Sequence, residues 1–497
     1  RSKSFSLACA LIIPLFYKGV TMSQHFEDLS LTPFVKKVTF FSSGGAFLDG
    51  YVLSIIGVAL VQLTVVLNLD AAWTAIIGTA AFAGIFAGTI LGGYLTDIIG
   101  RKRMFTLDVI AIGILSVLCM FMDSAIQLVI LRFLIGFFVG ADYPIATSLI
   151  AEYTPKHHRA KTMGTVSAAW YLGATAAAIV GYLLYSLDGG RAWMLGSAVV
   201  PSVFLLLGRH GIPESPMWLA RKGRLDEAQE VVYTVFGSDV IFDYEEPSDV
   251  RISTLFKKGY LGRVVFMGIF ILCQVVPMYA IYTFGPNIMN LFGLDHGHDS
   301  ILGEAVISLI FLLGTVPAMH WLNKFGRRKT LLVSLVCMGI GLLILGIWPE
   351  APVWIILFAF SLYAFFSGAP GILQWLYPNE LFPTEIRATA VGVAIGFSRI
   401  GTIISTSILP WCLVEFGIGP TMLAGAALVL FALLVSLAFA PETLGKTLKE
   451  TSALTEKELA PRKHSLHRKD KGECQGDKNV AAENLQGVPK NANHTHI

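Results

Sequence analysis

The stretch Gly93–Arg103, GYLTDIIGRKR, runs from an apolar segment through an acid and a glycine into three consecutive basic residues. Residues 73–96 before its charged end and 104–122 after it are almost wholly apolar. Each is close to the ~20 residues that cross the hydrocarbon layer as a helix. The stretch therefore reads as a short charged turn between two membrane spans. Working outward, the same criterion places spans near 38–61, 73–96, 104–122, 126–149, 163–186, 192–209, 264–287, 300–322, 330–348, 353–376, 388–412 and 421–440. A polar stretch, 210–263, separates the sixth from the seventh, so the order is six spans, a loop and six spans.

Composition agrees. Of 497 residues 54% are hydrophobic and 14% charged, against about 25% charged in an ordinary soluble domain. The mean hydropathy of +0.66 excludes a soluble fold, and continuous rather than alternating apolar runs exclude a transmembrane β-barrel. The fold class is all-α and polytopic. Basic residues then fix the expected orientation: of 37 Lys and Arg, Arg191 alone falls in an outer loop, while Arg132 and Arg399 lie inside spans. The remainder places both termini in the cytoplasm by the positive-inside rule.

The expected organisation is a cytoplasmic segment 1–37, six-helix bundles at 38–209 and 264–440 joined by the cytoplasmic loop 210–263, and a cytoplasmic segment 441–497. Residues 1–21, ahead of Met22, have the basic start and short apolar run of a signal peptide but no convincing cleavage site. They read rather as an extension foreign to the protein; the Lys-, Glu- and Asn-rich tail reads as disordered. The six cysteines are scattered without ligand spacing, which gives no metal site and no disulfide framework. Gly445-Lys446-Thr447 mimics the end of a nucleotide-binding loop, but the glycine it requires is Ala440, so no nucleotide cofactor is expected.

The two halves repeat. Gly140, Glu152, Pro155 and Arg159 recur as Gly368, Glu380, Pro383 and Arg387 at an offset of 228 residues, and Pro213-Glu214-Ser215 recurs as Pro441-Glu442-Thr443 at the same offset. Gly100-Arg101 recurs as Gly326-Arg327 at 226. Parallel repeats of this kind build carriers with a central site between their halves.

These residues resemble the major facilitator superfamily. Asp97, Gly100 and Arg101 match its signature loop, Arg132-x3-Gly136-x3-Gly140 its helix-4 motif, and Pro213–Leu219, PESPMWL, the sugar-porter PESPRWL. Trp375-x4-Glu380 and Pro441-Glu442-Thr443 complete the set. The resemblance covers roughly residues 38–450 and implies twelve helices in two parallel six-helix repeats. It also implies a secondary carrier working by alternating access, a proton symporter for a small organic metabolite in the bacterial inner membrane. A drug or metabolite exporter and a non-transporting nutrient sensor are the competing readings. The expected partners are the metabolite, protons and the bilayer; no nucleic acid, no metal and no enzymatic activity are expected, and a monomer suffices.

Residue roles follow from that resemblance and from depth. Asp97, Gly100, Arg101, Glu152, Arg159, Glu214, Arg327, Glu380, Arg387 and Glu442 form a candidate cytoplasmic gate of opposite charges. Asp49, Arg132 and Asp142 lie inside spans, where each charge costs roughly 2.5–3.5 kcal/mol unless paired or hydrated. They are the candidates for proton coupling, with Asp142 favoured over Asp49 and paired to Arg132, whose position allows it to snorkel outward. Asp49 stands three residues before the usual sugar-porter position, which here holds Val52. Arg399 is either an anion anchor or the partner of an acid. Trp170, Tyr171, Gln274, Tyr279, Tyr282, Asn287, Gln374 and Trp375 are candidate pocket residues, with Pro277, Pro286 and Gly368–Gly371 bending helices around them. The helix-7 glutamine pattern of sugar porters is absent apart from Gln274, so hexose is not singled out as substrate.

Overall fold

A computed structural model describes residues 32–153, 156–236, 260–293, 298–382 and 384–445; the segments 1–21 and 446–497 discussed above lie outside them. The described residues form twelve helical spans. In the first half these are α1 (Pro33–Val66), α2 (Ala71–Ile99), α3 (Arg101–Met120), α4 (Ala125–Tyr153), α5 (Lys156–Leu184) and the two-part span α6 (Gly190–Gly196) with α7 (Val199–Arg209). Two short helices, α8 (Pro216–Arg221) and α9 (Leu225–Phe236), follow in the central segment. The second half has α10 (Tyr260–Leu291), α11 (His298–Phe325), α12 (Arg327–Ile347), the two-part span α13 (Val353–Phe366) with α14 (Gly368–Leu381), α15 (Thr384–Glu415) and α16 (Ile418–Phe439).

Many helices outrun their apolar stretches. At 1.5 Å per residue, the 29 residues of α2 reach about 44 Å, well beyond the ~30 Å of hydrocarbon. Large apolar side chains such as Phe40, Leu183, Val414 and Leu434 stay exposed, which suits a surface solvated by lipid.

Glycines set how closely the helices approach. Gly84 and Gly88 of α2 lie against the backbone of Phe133 and Phe137 in α4, and Gly136 and Gly140 of α4 against that of Ala81 and Ile85. The helix-4 motif is thus a packing stripe of the small-residue kind that lets membrane helices touch backbone to backbone. Between halves, α2 packs on α15, α5 on α11 and α14, and α1 on α10. One end of the bundle carries the basic turns at Gly100 and Gly326; at the far end, the Thr79 hydroxyl bonds those of Thr406 and Ser407 at 3.2 and 3.1 Å. Towards the basic end, Gly164 packs against Met319.

The basic turns are built alike. Gly100 and Gly326 have φ of +108° and +96°, a region open mainly to glycine, and each starts a helix whose first N–H groups need acceptors. Glu214 accepts from the backbone of Arg101, Lys102 and Ser215, each at 3.0 Å. Glu442 accepts from Arg327, Arg328, Thr443 and Leu444 at 2.9–3.1 Å. These acids hold helix N-termini within their own halves. Arg101 donates to the Ser215 hydroxyl at 3.1 Å. Arg327 pairs with Glu380 at 3.0 Å, and Thr443 donates to the same carboxylate. The backbones of Asp97, Glu152, Arg159 and Arg387 are helical; their side chains fall outside the described set.

Two outcomes check these devices. A methyl at Gly136 would lie 2.9 Å from the Cα of Ala81, whereas one at Gly262 meets nothing within 4 Å. Gly136→Ala is expected to destabilise the fold by about 1–3 kcal/mol, seen as an earlier thermal unfolding of the detergent-solubilised protein, with Gly262→Ala unchanged. Equal unfolding temperatures would contradict the packing role. For Glu442, burial pushes the carboxyl upward, but the backbone N–H groups outweigh it and hold it below its ordinary 4.5. A carboxyl held low in the folded state stabilises above its ordinary pKa and loses that contribution as pH falls through the folded value. Unfolding temperatures measured from about pH 5 downward should therefore fall less steeply for Glu442→Gln than for the parent.

Candidate functional site

At the centre, where α1, α4, α5, α10 and α14 converge, a cavity of about 30 Å³ is lined by Tyr143, Trp170, Tyr171, Tyr279, Gln374 and Trp375, among others. Two larger clefts, at α10, α15 and α16 and at α2 and α4, have almost wholly apolar linings without a charged residue. The central cavity is the one that adjoins charge. Asp49, 2% exposed, accepts a hydrogen bond from the Trp170 indole at 2.7 Å and a second from the Tyr143 hydroxyl. On the other side Arg399, also 2% exposed, donates to the Tyr279 hydroxyl at 3.2 Å. Its guanidinium lies over the rings of Tyr143 and Tyr279, 5.0 and 5.8 Å from their centroids. A cation on a ring face in dry surroundings is favourable.

The chain Asp49–Tyr143–Arg399–Tyr279 therefore joins α1 and α4 of one half to α15 and α10 of the other. Among the described residues no carboxylate lies within ion-pair distance of Arg399; its charge and that of Asp49 attract across the tyrosine. Trp170 meets Tyr171, Tyr279 and Tyr282 edge-on at 5.0–5.7 Å, and Trp375 stacks on Tyr143 at 5.9 Å. Edge-on and offset rings of this kind are favoured by their quadrupoles. Gly371 packs against the Tyr171 hydroxyl.

The expected pairing of Asp142 with Arg132 is not found. Arg132 is 2% exposed rather than snorkelling, and donates to the Val52 carbonyl at 2.6 Å. The position that carries an acid in the sugar-porter pattern thus meets this arginine with a backbone oxygen instead. Asp49, one helical turn earlier, turns towards Trp170 and Tyr143. Asp142 faces away from the cavity, as neighbouring residues on a helix must diverge. It binds Arg209 at the end of α7 at 3.3 Å, and Asp108 of α3 binds the same guanidinium at 3.2 Å. Arg209 also lies 3.4 Å from the ring centroid of Phe105 and donates to its carbonyl.

Three other expectations separate from the cavity. Gln274 is fully buried and donates to the Met278 sulfur at 3.6 Å. Tyr282 packs behind the lining on Phe311, 5.0 Å between centroids. Asn287 lies beyond a break in α10, where Phe284 has non-helical φ and ψ (−125°, 19°) two residues before Pro286. Pro286 lacks an N–H and so interrupts the ladder; the break falls there and not at Pro277. The tenth span divides at Ser367, beside the expected Gly368. Two further acids, Asp108 and Glu304, stand inside predicted spans, 104–122 and 300–322, where a single acid in an apolar run is the signal that marks them. Glu304 is 2% exposed.

Residues 37–454 match the family described as "Sugar (and other) transporter". The chain is 51% identical to YaaU of Escherichia coli (strain K12), named as a metabolite transport protein, over 87% of this chain and 98% of that one. It is 34% identical to the inner membrane metabolite transport protein YgcS of the same organism, over 85% and 95%. The structure of the proton:xylose symporter XylE bound to 6-bromo-6-deoxy-D-glucose superposes with a TM-score of 0.70 at 22% identity, covering 85% of this chain and 99% of that one. At that identity the likeness speaks for the fold. The chain belongs to the sugar (and other) transporter family and has the twelve-helix fold of the major facilitator superfamily.

Proposed function

We propose that the protein is a proton-coupled symporter that imports a small polar metabolite across the bacterial inner membrane by alternating access, as a monomer with its basic end and both termini in the cytoplasm. The observation that carries this reading is the double hydrogen bond from Trp170 and Tyr143, two side chains lining the cavity, to one carboxylate, Asp49. A proton on the unpartnered Oδ1 of Asp49 cancels its attraction to Arg399 and turns Oδ2, which accepts from both donors, from a charged acceptor into a weaker neutral one. Occupancy of the cavity and occupancy of the carboxyl are thereby felt by the same side chains. This favours Asp49 over Asp142, whose charge is taken up by Arg209 away from the cavity. The resemblance to YgcS, an inner membrane protein, and to XylE, a proton symporter, supports location and coupling.

A cavity of about 30 Å³ holds only about two waters, so loading requires the halves to part. The breaks at Phe284 and Ser367 are the places where the two spans can bend without losing a regular ladder. The inner turns act as the cytoplasmic gate, with Asp97, Glu152, Arg159 and Arg387 completing the set held by Glu214, Arg327, Glu380 and Glu442. The aromatic lining suits the apolar faces of a hydroxylated metabolite and Gln374 its hydroxyls. Arg399 matches a carboxylate once its tyrosines yield.

The test begins with thermal-shift screening of the purified protein against neutral sugars, sugar acids and aromatic acids, then uptake of the best ligand into proteoliposomes. One pH unit is worth about 1.4 kcal/mol, so one coupled proton should concentrate the ligand up to about tenfold. Asp49→Asn is expected to abolish accumulation while retaining exchange of labelled for unlabelled ligand. Accumulation equal to the parent's would overturn the assignment. Arg399→Gln is expected to lose stabilisation by acids and keep that by neutral sugars; the same loss for both would remove its role as an anion anchor.

A further inference from the structure

Glu304 of α11 has no place in the scheme above. It is 2% exposed, and both of its carboxyl oxygens are without a hydrogen-bond partner. Asp49, Asp108 and Asp142 each have named donors or an arginine; Glu304 has neither. The titratable side chain beside it is Tyr282 of α10, with Tyr171 of α5 and Tyr363 of α13 grouped around that phenol. No charged group faces it from the helices packed on α11 among the described residues. A bare carboxylate in such surroundings is among the costliest arrangements a membrane protein can hold, and intramembrane acids persist where they work.

Its neighbour is equally specific. The Cγ, Cδ and Oε1 of Glu304 press on Gly285 so closely that a methyl there would sit 2.9–3.2 Å from them. Gly285 is the residue between non-helical Phe284 and Pro286, at the break in α10. Other faces of the same break are clasped by the opposite half: Gly57 of α1 lies against the Tyr282 and Thr283 carbonyls, and Gly78 of α2 against the Phe284 ring. Glu304 therefore touches the one place where α10 bends and where the two halves close on each other at the far end.

We propose that Glu304 is a second proton-binding site, protonated while the far end is closed and deprotonated when the break in α10 moves and water reaches it. The proton enters from external water onto one carboxylate oxygen and returns to external water, with no other bond made or broken. In its charged form the carboxylate requires solvation that the packing on Gly285 denies, so ionisation favours opening and protonation favours closure. The site rests on the reading of the chain as a carrier whose far end opens, but it is independent of coupling through Asp49.

The test uses the full-length protein in lipid nanodiscs, needs no substrate, and has two readouts. Infrared difference spectra between pH steps should contain a protonated-carboxyl carbonyl band that Glu304→Gln removes and Asp49→Asn leaves in place. Labelling of Met289→Cys, buried in α10 beyond the break, by a maleimide, divided at each pH by that of the exposed Leu291→Cys to cancel thiol ionisation, should rise with pH in the parent. It should lose that pH dependence in Glu304→Gln and recover it in Glu304→Asp. Difference spectra from which Glu304→Gln removes no carboxyl band, or a labelling profile that Glu304→Gln leaves unchanged, would overturn the proposal. If Asp49→Asn abolishes uphill uptake while these two signals fail, the coupling reading stands and this one falls; the reverse pattern separates them equally.

Discussion

Hydrocarbon cannot solvate a charge or a bare peptide group, and the protein is organised around that constraint. Among the described residues its spans are helical apart from short breaks after Gly196, at Phe284 and at Ser367. Its helix starts at Gly100 and Gly326 are finished by Glu214 and Glu442, and its buried arginines are each given a different remedy. Arg209 is shared by two acids, Arg132 is turned to the Val52 carbonyl, and Arg399 is laid on tyrosine rings. Asp49 alone takes its donors from side chains that line the cavity. Resting Asp49 and Arg399 on side chains that a ligand can disturb ties both charges to what fills the cavity.

The same constraint explains why the fold was readable and the site only partly so. Twelve spans, the repeat and the basic turns are carried by apolar length and by charges at fixed offsets, which are properties of the chain itself. Asp49, Trp170, Tyr279, Trp375 and Arg399 could each be singled out as candidates, because polar and aromatic residues stand out against 54% hydrophobic residues, but their gathering could not. What could not be read was direction. Asp142 and Tyr143 are adjacent in sequence, yet one faces Arg209 and the other the cavity. A helix turns neighbours by about 100°, and which of them meets the opposite half depends on how α4 is rotated by its glycine stripe on α2. The pairing of Asp142 with Arg132, plausible from their common helix, failed for that reason.

Positions three residues apart proved equally instructive. In the sugar-porter pattern an acid would stand at Val52; here a carbonyl occupies that role towards Arg132, and the acid sits one turn away at Asp49. The displacement moves the carboxylate from an arginine to a tryptophan and a tyrosine that line the cavity. The breaks beside Pro286 and at Ser367 then supply bending points on two of the helices that surround it.

The central claim is that filling the cavity and protonating Asp49 are linked. Calorimetric titration of the purified protein with its best-binding ligand, repeated near neutral pH in buffers of different ionisation heat, counts the protons exchanged on binding. Linkage requires an uptake of about one proton per ligand bound. No exchange of protons on binding would contradict it.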